Sequence, residues 1–304
     1  MKTRLFSTLR CLRSHDNPLG LPQKKPPSKL DLTRGIPQQR SIRHVKKVIA
    51  VSSAKGGVGK STIAANLALA FTRQGYRTGL LDTDLHGPSI PTLMNLSTAG
   101  PPRTDSNDNL IPITNYGLST MSMGYLIPET SPVVWRGLML NKALSQLLHQ
   151  VSWGPSMLDC LVIDLPPGTG DIPLSISQQI RLDGVVIVTT PQHLSLSDAV
   201  RGVSMFRALP EDKRPRVLGM VLNMSTYVCS GCGEAHRVFG SEKVVREKTR
   251  ELGLEVLAEV PLHGSISANA DEGRPTVVAD PGGAEARMFL ALAEKVGGMV
   301  GVGE

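Results

Sequence analysis

An apolar run, Val48 to Val51, breaks into Ser52-Ser53-Ala54-Lys55-Gly56-Gly57-Val58-Gly59-Lys60-Ser61-Thr62 and then into Ile63 to Ala70, a run of good helix formers. Strand, glycine-rich loop, Lys-Ser and helix, in that order, is the layout of a phosphate-binding loop. Its glycines let backbone N–H groups approach phosphate oxygens with no Cβ in the way. Lys60 supplies a point charge for the β- and γ-phosphates, and the Ser61 hydroxyl is placed for Mg²⁺. The helix that begins there adds the positive end of its dipole. The stretch implies binding of a nucleoside triphosphate.

The first position of the general pattern, normally Gly, is Ala54, and Lys55 adds a second lysine. Lys-Gly-Gly-x-Gly-Lys-Ser/Thr is the deviant form found in dimeric NTPases, where the extra lysine reaches the partner subunit's nucleotide. The loop thus nominates Ala54, Lys55, Gly56, Gly57, Val58, Gly59, Lys60, Ser61 and Thr62 as nucleotide contacts.

Charge is segregated along the chain. Residues 1–47 hold 12 Lys and Arg against Asp16 and Asp31 alone, whereas the remainder has 21 against 24 Asp and Glu. The net charge of +7 therefore belongs to the N-terminus, which argues against a basic nucleic-acid face on the folded domain. No apolar run approaches the ~18 residues that a membrane-spanning helix needs. Residues 1–15 combine Arg4, Arg10 and Arg13 with hydroxyls, no acid, and Leu5, Leu9 and Leu12 on one helical side. That is the composition of a mitochondrial import presequence. Residues 16–47, rich in Pro, Lys and Gln, read as a linker, and residues 48–304 as the folded domain.

Within that domain, apolar strands end in acids. Leu80-Leu81-Asp82-Thr83-Asp84 and Leu161-Val162-Ile163-Asp164 are short buried strands whose C-terminal carboxylates collect at the ligand edge of a parallel sheet. Asp84 is a candidate to orient an attacking water, and Asp82 and Asp164 to hold Mg²⁺ or its waters. Pro166-Pro167-Gly168-Thr169-Gly170 is a stiff turn followed by a hinge able to sense a γ-phosphate. Further strands lie at Leu110–Tyr125 around Asn115-Tyr116-Gly117, at 184–191, at 216–225 and at 254–261. Helices fall at about 138–150, 195–209 and 284–296, with Gly297 to Gly303 as a loose tail. Strands alternating with helices predict an α/β, doubly wound, mostly parallel sheet with helices on both faces. Trp135 reads as a core or interface aromatic.

Of the four cysteines, Cys11 lies in the presequence and Cys160 inside a strand; only Cys229-Ser230-Gly231-Cys232 has chemistry in its spacing. A Cys-x-x-Cys closing on Gly is a metal knuckle. Zinc and iron–sulfur sites both want four ligands, so the pair is incomplete in one chain, and a symmetric dimer would supply the other two thiolates. His236 reads as an exposed loop histidine rather than a third zinc ligand.

Lys55 to Thr62, Asp82-Thr83-Asp84 with His86-Gly87-Pro88-Ser89, Val134-Trp135-Arg136-Gly137, Asp164 to Asp171, Asn223-Met224-Ser225 and Cys229-x-x-Cys232 occur together and in this order. From about Asn17 onward the chain resembles the Mrp/NBP family of ATP-binding iron–sulfur carriers, and in particular its mitochondrial NUBPL branch. The resemblance implies a ParA/MinD-like deviant Walker A fold, ATP and Mg²⁺ as ligands, and a [4Fe-4S] cluster held by Cys229 and Cys232 of two subunits. It implies a homodimer in the mitochondrial matrix that serves apo iron–sulfur proteins, respiratory complex I subunits among them. It casts Lys55 and Lys60 as catalytic lysines, Asp84 as the water-positioning residue, Asp164 as the metal-side acid, and Asn223 and Pro261 as adenine contacts. The rival readings are a ParA/MinD-like regulatory switch, and a targeting ATPase stapled by structural zinc through the same cysteines.

Overall fold

The computed structural model describes residues 39–84, 87–126, 137–229 and 231–304. The presequence over 1–15, most of the linker, His86 and Trp135 lie outside the described residues.

Eight strands form one sheet: β1 (Val45–Ser52), β2 (Thr78–Asp82), β3 (Ile113–Asn115), β4 (Leu118–Ser122), β5 (Leu158–Asp164), β6 (Gly184–Thr189), β7 (Val217–Asn223) and β10 (Val256–Val260). Their order is β10-β7-β6-β1-β5-β2-β4-β3. All neighbours pair in parallel except β3, which pairs antiparallel with β4 at the edge. Strands β2 and β6 are buried along their whole length, as continuous apolar runs covered on both faces must be. The β3–β4 hairpin turns through Tyr116 and Gly117, both at positive φ.

The helices follow from the crossovers. The β1 strand leads through α1 (Lys60–Arg73) rightward to β2, whereas β5 leads through α4 (Asp171–Gln179) leftward to β6. Right-handed crossovers in opposite directions place these helices on opposite faces. With α1 packs α9 (Ala284–Val300), and α5 (His193–Arg207) packs against α6 (Glu242–Leu252). The reversal falls between β1 and β5, whose register sets Val51 beside Asp164. A crevice opens at such a switch point, outside the strand ends.

Four further α-helices are α2 (Ile90–Leu93), α3 (Gly137–His149), α7 (Gly264–Asp271) and α8 (Thr276–Ala279). A separate two-stranded hairpin joins β8 (Tyr227–Val228) to β9 (Ala235–His236).

The structure departs from the sequence expectations at both ends of the domain. The first strand opens at Val45, ahead of Val48, and Arg40 N–H donates to the Gln179 carbonyl at 2.8 Å, so part of the expected linker belongs to the sheet. At the other end α9 continues through Gly297 and Gly298 to Val300. A Cβ at Gly297 would stand 3.1 Å from the Phe71 ring. Glycine there serves close packing of α9 on α1, which offsets its weak helix propensity. No helix among the described residues is long and apolar enough to cross a membrane.

Candidate nucleotide site and cysteine hairpin

At the switch point the loop between β1 and α1 takes the shape its glycines allow, with Gly57 at φ 77° and Gly59 at φ 82°. Gly59 is required twice over, because a Cβ on it would stand 2.2 Å from Asn223 Nδ2. That amide donates to the Val58 carbonyl at 2.8 Å. Ala54, where the general pattern has Gly, turns its methyl group toward Gly202 of α5, where an added Cβ would stand 3.5 Å away in ordinary van der Waals contact. Lys55 is exposed. The Ser53 carbonyl accepts from Gly168 N–H at 2.8 Å, which ties the turn after β5 to the loop after β1.

Lys60 is buried and ion-paired with Asp164, itself without solvent exposure. The Lys60 ammonium engages Asp164 Oδ1, while Oδ2 has no hydrogen-bond partner among the described residues. Burial pushes the Asp164 carboxyl above the usual carboxylate value, against the pull of Lys60 and the neighbouring Ser61 hydroxyl. An unpartnered buried carboxylate oxygen beside a hydroxyl is a donor set that suits a hard divalent cation such as Mg²⁺, so the residues fit the metal expected here.

Asp82 sits beside Asp164 in the register of β2 and β5, but its oxygens are occupied within its own loop. Oδ1 accepts from Asp84 N–H at 2.9 Å, and Oδ2 accepts from the Ser122 hydroxyl at 2.9 Å and Ile90 N–H at 3.4 Å. Asp82 thus braces the segment that carries Asp84. Burial, and then the Asp164 charge, raise its pKa to about 7. The folded chain holds a proton that the unfolded chain releases above its pKa of 3.8, so stability from this group is greatest at low pH and is lost as pH rises. In denaturant titrations of the nucleotide-free protein, unfolding free energy should fall as pH rises from 3.8 to about 7. Asp82→Asn should flatten that slope.

The cleft has a volume of about 470 Å³ and is lined by Gly56, Gly57, Gly59, Lys60, Ser61 and Thr62 at one end, with Asp84 and Pro167 beside them. The other end is formed by Asn223, Pro261, Ile266, Ser267 and Asp271. The size lies within the range typical of small-molecule sites. Of the expected contacts, Ala54, Lys55 and Val58 stand outside the lining. The contribution of α7 is new: the rule that ligands gather beyond strand C-termini would have found it, since α7 follows directly on β10.

Asn223, expected at the adenine, has its amide on the Val58 carbonyl and its Oδ1 on Met224 N–H at 3.0 Å. Asn223→Ala strips a buried carbonyl of its partner, at an expected cost of about 1–3 kcal/mol. A lowered melting temperature, together with weakened nucleotide binding, would be the measurable result; an unchanged melting temperature would contradict the brace.

From Asn223 the chain runs straight to the cysteines. Met224 takes a left-handed φ of 55°. Ser225 N–H and hydroxyl both donate to the Val260 carbonyl at 2.9 and 3.1 Å, and Leu262 N–H donates to the Thr226 carbonyl at 2.7 Å. The β8–β9 hairpin then pairs Tyr227 with His236 and Val228 with Ala235. Its turn closes through Cys229 N–H to the Glu234 carbonyl at 2.9 Å and Gly233 N–H to the Cys229 carbonyl at 2.8 Å. Backbone N–H groups of Cys232 and Gly231, then the Cys232 thiol, hold the Cys229 thiol below its ordinary value. A thiolate so stabilised is ready to ligate metal. Cys160, by contrast, is buried in β5 and its thiol is pushed up by burial, in keeping with a core residue.

A phosphate-binding loop with a second lysine and a cysteine knuckle thus stand on one strand edge. A family description, ParA: NUBPL iron-transfer P-loop NTPase, matches residues 44–297. The chain belongs to this family. The mouse protein named iron-sulfur cluster transfer protein NUBPL is 48% identical over 87% of this chain and 81% of its own length. An Arabidopsis thaliana relative named iron-sulfur protein required for NADH dehydrogenase, mitochondrial, is 46% identical over 84% of this chain and 79% of its own. Among solved structures, a nucleotide-binding protein from Archaeoglobus fulgidus in complex with ADP, with cobalt found, is 35% identical. It aligns with a TM-score of 0.67 over 81% of this chain and 93% of that one. The cell-division ATPase MinD of Pyrococcus furiosus, 19% identical, shares the fold with a TM-score of 0.59 over 83% of this chain and 99% of its own.

Proposed function

We propose that this chain is an ATP-dependent carrier of iron–sulfur clusters that works as a homodimer in the mitochondrial matrix. It binds a [4Fe-4S] cluster between two subunits and passes it to apo-proteins, respiratory complex I subunits among them. The observation that carries this reading is the direct run from the nucleotide loop to the cysteine hairpin: Asn223 braces Val58, and Met224 to Val228 lead into Cys229. The names of the mouse and Arabidopsis relatives support the cargo, the recipient and the compartment.

In this reading the loop N–H groups and Lys60 bind the triphosphate, so that Lys60 parts from Asp164 as the phosphates arrive. Ser61 and Asp164 hold Mg²⁺, which when bound neutralises charge on the β- and γ-phosphates. Asp84 orients the attacking water, and exposed Lys55 reaches the partner's nucleotide. Loss of the γ-phosphate releases the turn at Gly168, which is bonded to Ser53, and the brace at Asn223 passes the change to the hairpin. Tyr227, Val228 and Val238 expose apolar surface on and just after that hairpin, with Leu262 beside it; apolar surface gathered around an incomplete metal site supports a second copy there. The two nucleotide states must differ in cluster affinity, because equal affinity would transmit nothing.

The test is the metal content and mass of protein purified and reconstituted without oxygen. About four iron and four sulfide per two chains, released to an apo-acceptor faster with ATP than without, is the expected result. About one zinc per two chains with no sulfide would instead make the hairpins a structural staple.

A further inference from the structure

The hairpin carries more ligands than a shared cluster uses. Cys232, Glu234 and His236 are all exposed, and their ligand atoms lie within 4.8 Å of one another. His236 Nε2 stands 3.8 Å from Glu234 Oε2. Glu234 directly precedes β9 and His236 ends it, and both side chains reach the Cys232 sulfur at the turn. The Cys229 sulfur lies against the same turn, 3.8 Å from where a Cβ on Gly231 would stand. The turn is pinned by its two backbone hydrogen bonds.

We propose that a single chain holds one soft divalent cation, of the zinc class, through Cys232, Glu234 and His236, with Cys229, the other sulfur of the turn, completing four ligands. Two thiolates, an imidazole and a carboxylate are a zinc-class set, and the sulfurs select against Mg²⁺. Tetrahedral ligands around such an ion lie ~3.5 Å apart, a closure that exposed side chains reach by rotation. The bridging cluster needs four thiolates, two from each of two chains, and neither His236 nor Glu234. Both occupants use both cysteines, so a chain loaded with the single ion cannot share a cluster. The mononuclear site therefore competes with cluster binding and keeps the thiolates ligated when no partner is present. The single-ion site stands independently of the carrier reading, whereas its competition with a cluster rests on that reading.

The full-length chain, stripped of metal and handled without oxygen, is titrated with Co²⁺ while thiolate-to-cobalt absorption is recorded. Saturation at about one cobalt per chain, on protein that sediments as a monomer, is the expected result. His236→Ala and His236→Gln should each weaken cobalt binding by roughly tenfold or more and leave reconstituted iron and sulfide per dimer unchanged. Saturation at about one cobalt per two chains, insensitive to His236, would overturn the proposal in favour of a shared four-thiolate site. Equal loss of cobalt and cluster in both variants would also overturn it, by showing that His236 merely holds the hairpin together. Absence of iron and sulfide from the parent protein would sink the carrier reading while leaving the cobalt stoichiometry to stand.

Discussion

A Cys229→Ala/Cys232→Ala chain should leave anaerobic reconstitution with iron and sulfide at background, yet bind nucleotide as the parent does. The physical reason is the hairpin's position. Its strands, Tyr227–Val228 and Ala235–His236, are exposed, Cys232 is on the surface and Cys229 is half-buried, and neither cysteine belongs to the hydrophobic core. Substitutions at such positions change stability by about 0.5 kcal/mol or less. The loop between β1 and α1 is braced from the other side of Asn223 and keeps its shape. Iron, sulfide and nucleotide affinity measured on the same preparation check the claim. Iron retained at the parent's level would place the cluster elsewhere, and loss of nucleotide binding would mean that the hairpin supports the fold.

The second large effect belongs to Lys60→Ala, which should abolish ATP-stimulated cluster release while cluster binding persists. This substitution does more than remove a phosphate contact. Lys60 is the cation paired with Asp164, which has no solvent exposure, and its removal strands a buried carboxylate. Breaking a buried pair by removing one partner costs about 3–5 kcal/mol. Part of that cost is relieved when Asp164 takes up a proton, so the variant should be more stable at low pH relative to its parent than at neutral pH. Lys60→Ala/Asp164→Asn separates the two roles. The double variant should recover most of the lost stability without recovering ATP-stimulated release, because the neutral amide no longer needs a counter-ion and the phosphates still lack theirs. Release at the parent's rate in either variant would break the link between nucleotide and cluster.

The glycine-rich loop, the acids at the ends of β2 and β5, and the Cys-x-x-Cys pair were legible because each is written in consecutive residues whose chemistry depends little on the rest of the chain. The Asn115-Tyr116-Gly117 turn belongs with them, since Tyr116 and Gly117 both adopt the positive φ that a tight hairpin requires. Helix α4 was not legible: Asp171 follows a Pro- and Gly-rich turn, and Pro173 near its start looks like a breaker although the first helical turn tolerates it. The end of α9 was misread for the opposite reason. Gly297 and Gly298 carry a local signal to stop, and contact with Phe71 overrides it.

The order of residues by itself determined most of the local elements, the glycine-rich loop and the spacing of the Cys229–Cys232 pair. Tertiary structure decided which distant groups meet. It alone set the Asn223 amide against Val58, the Ala54 methyl against Gly202, Lys60 against Asp164, and His236 beside Glu234 and Cys232. The reason lies in the sheet. Backbone preference and side-chain period are properties of neighbouring residues, whereas strand order depends on the direction of each crossover. The reversal at β1 and β5 is what brings residues from both ends of the domain to one edge.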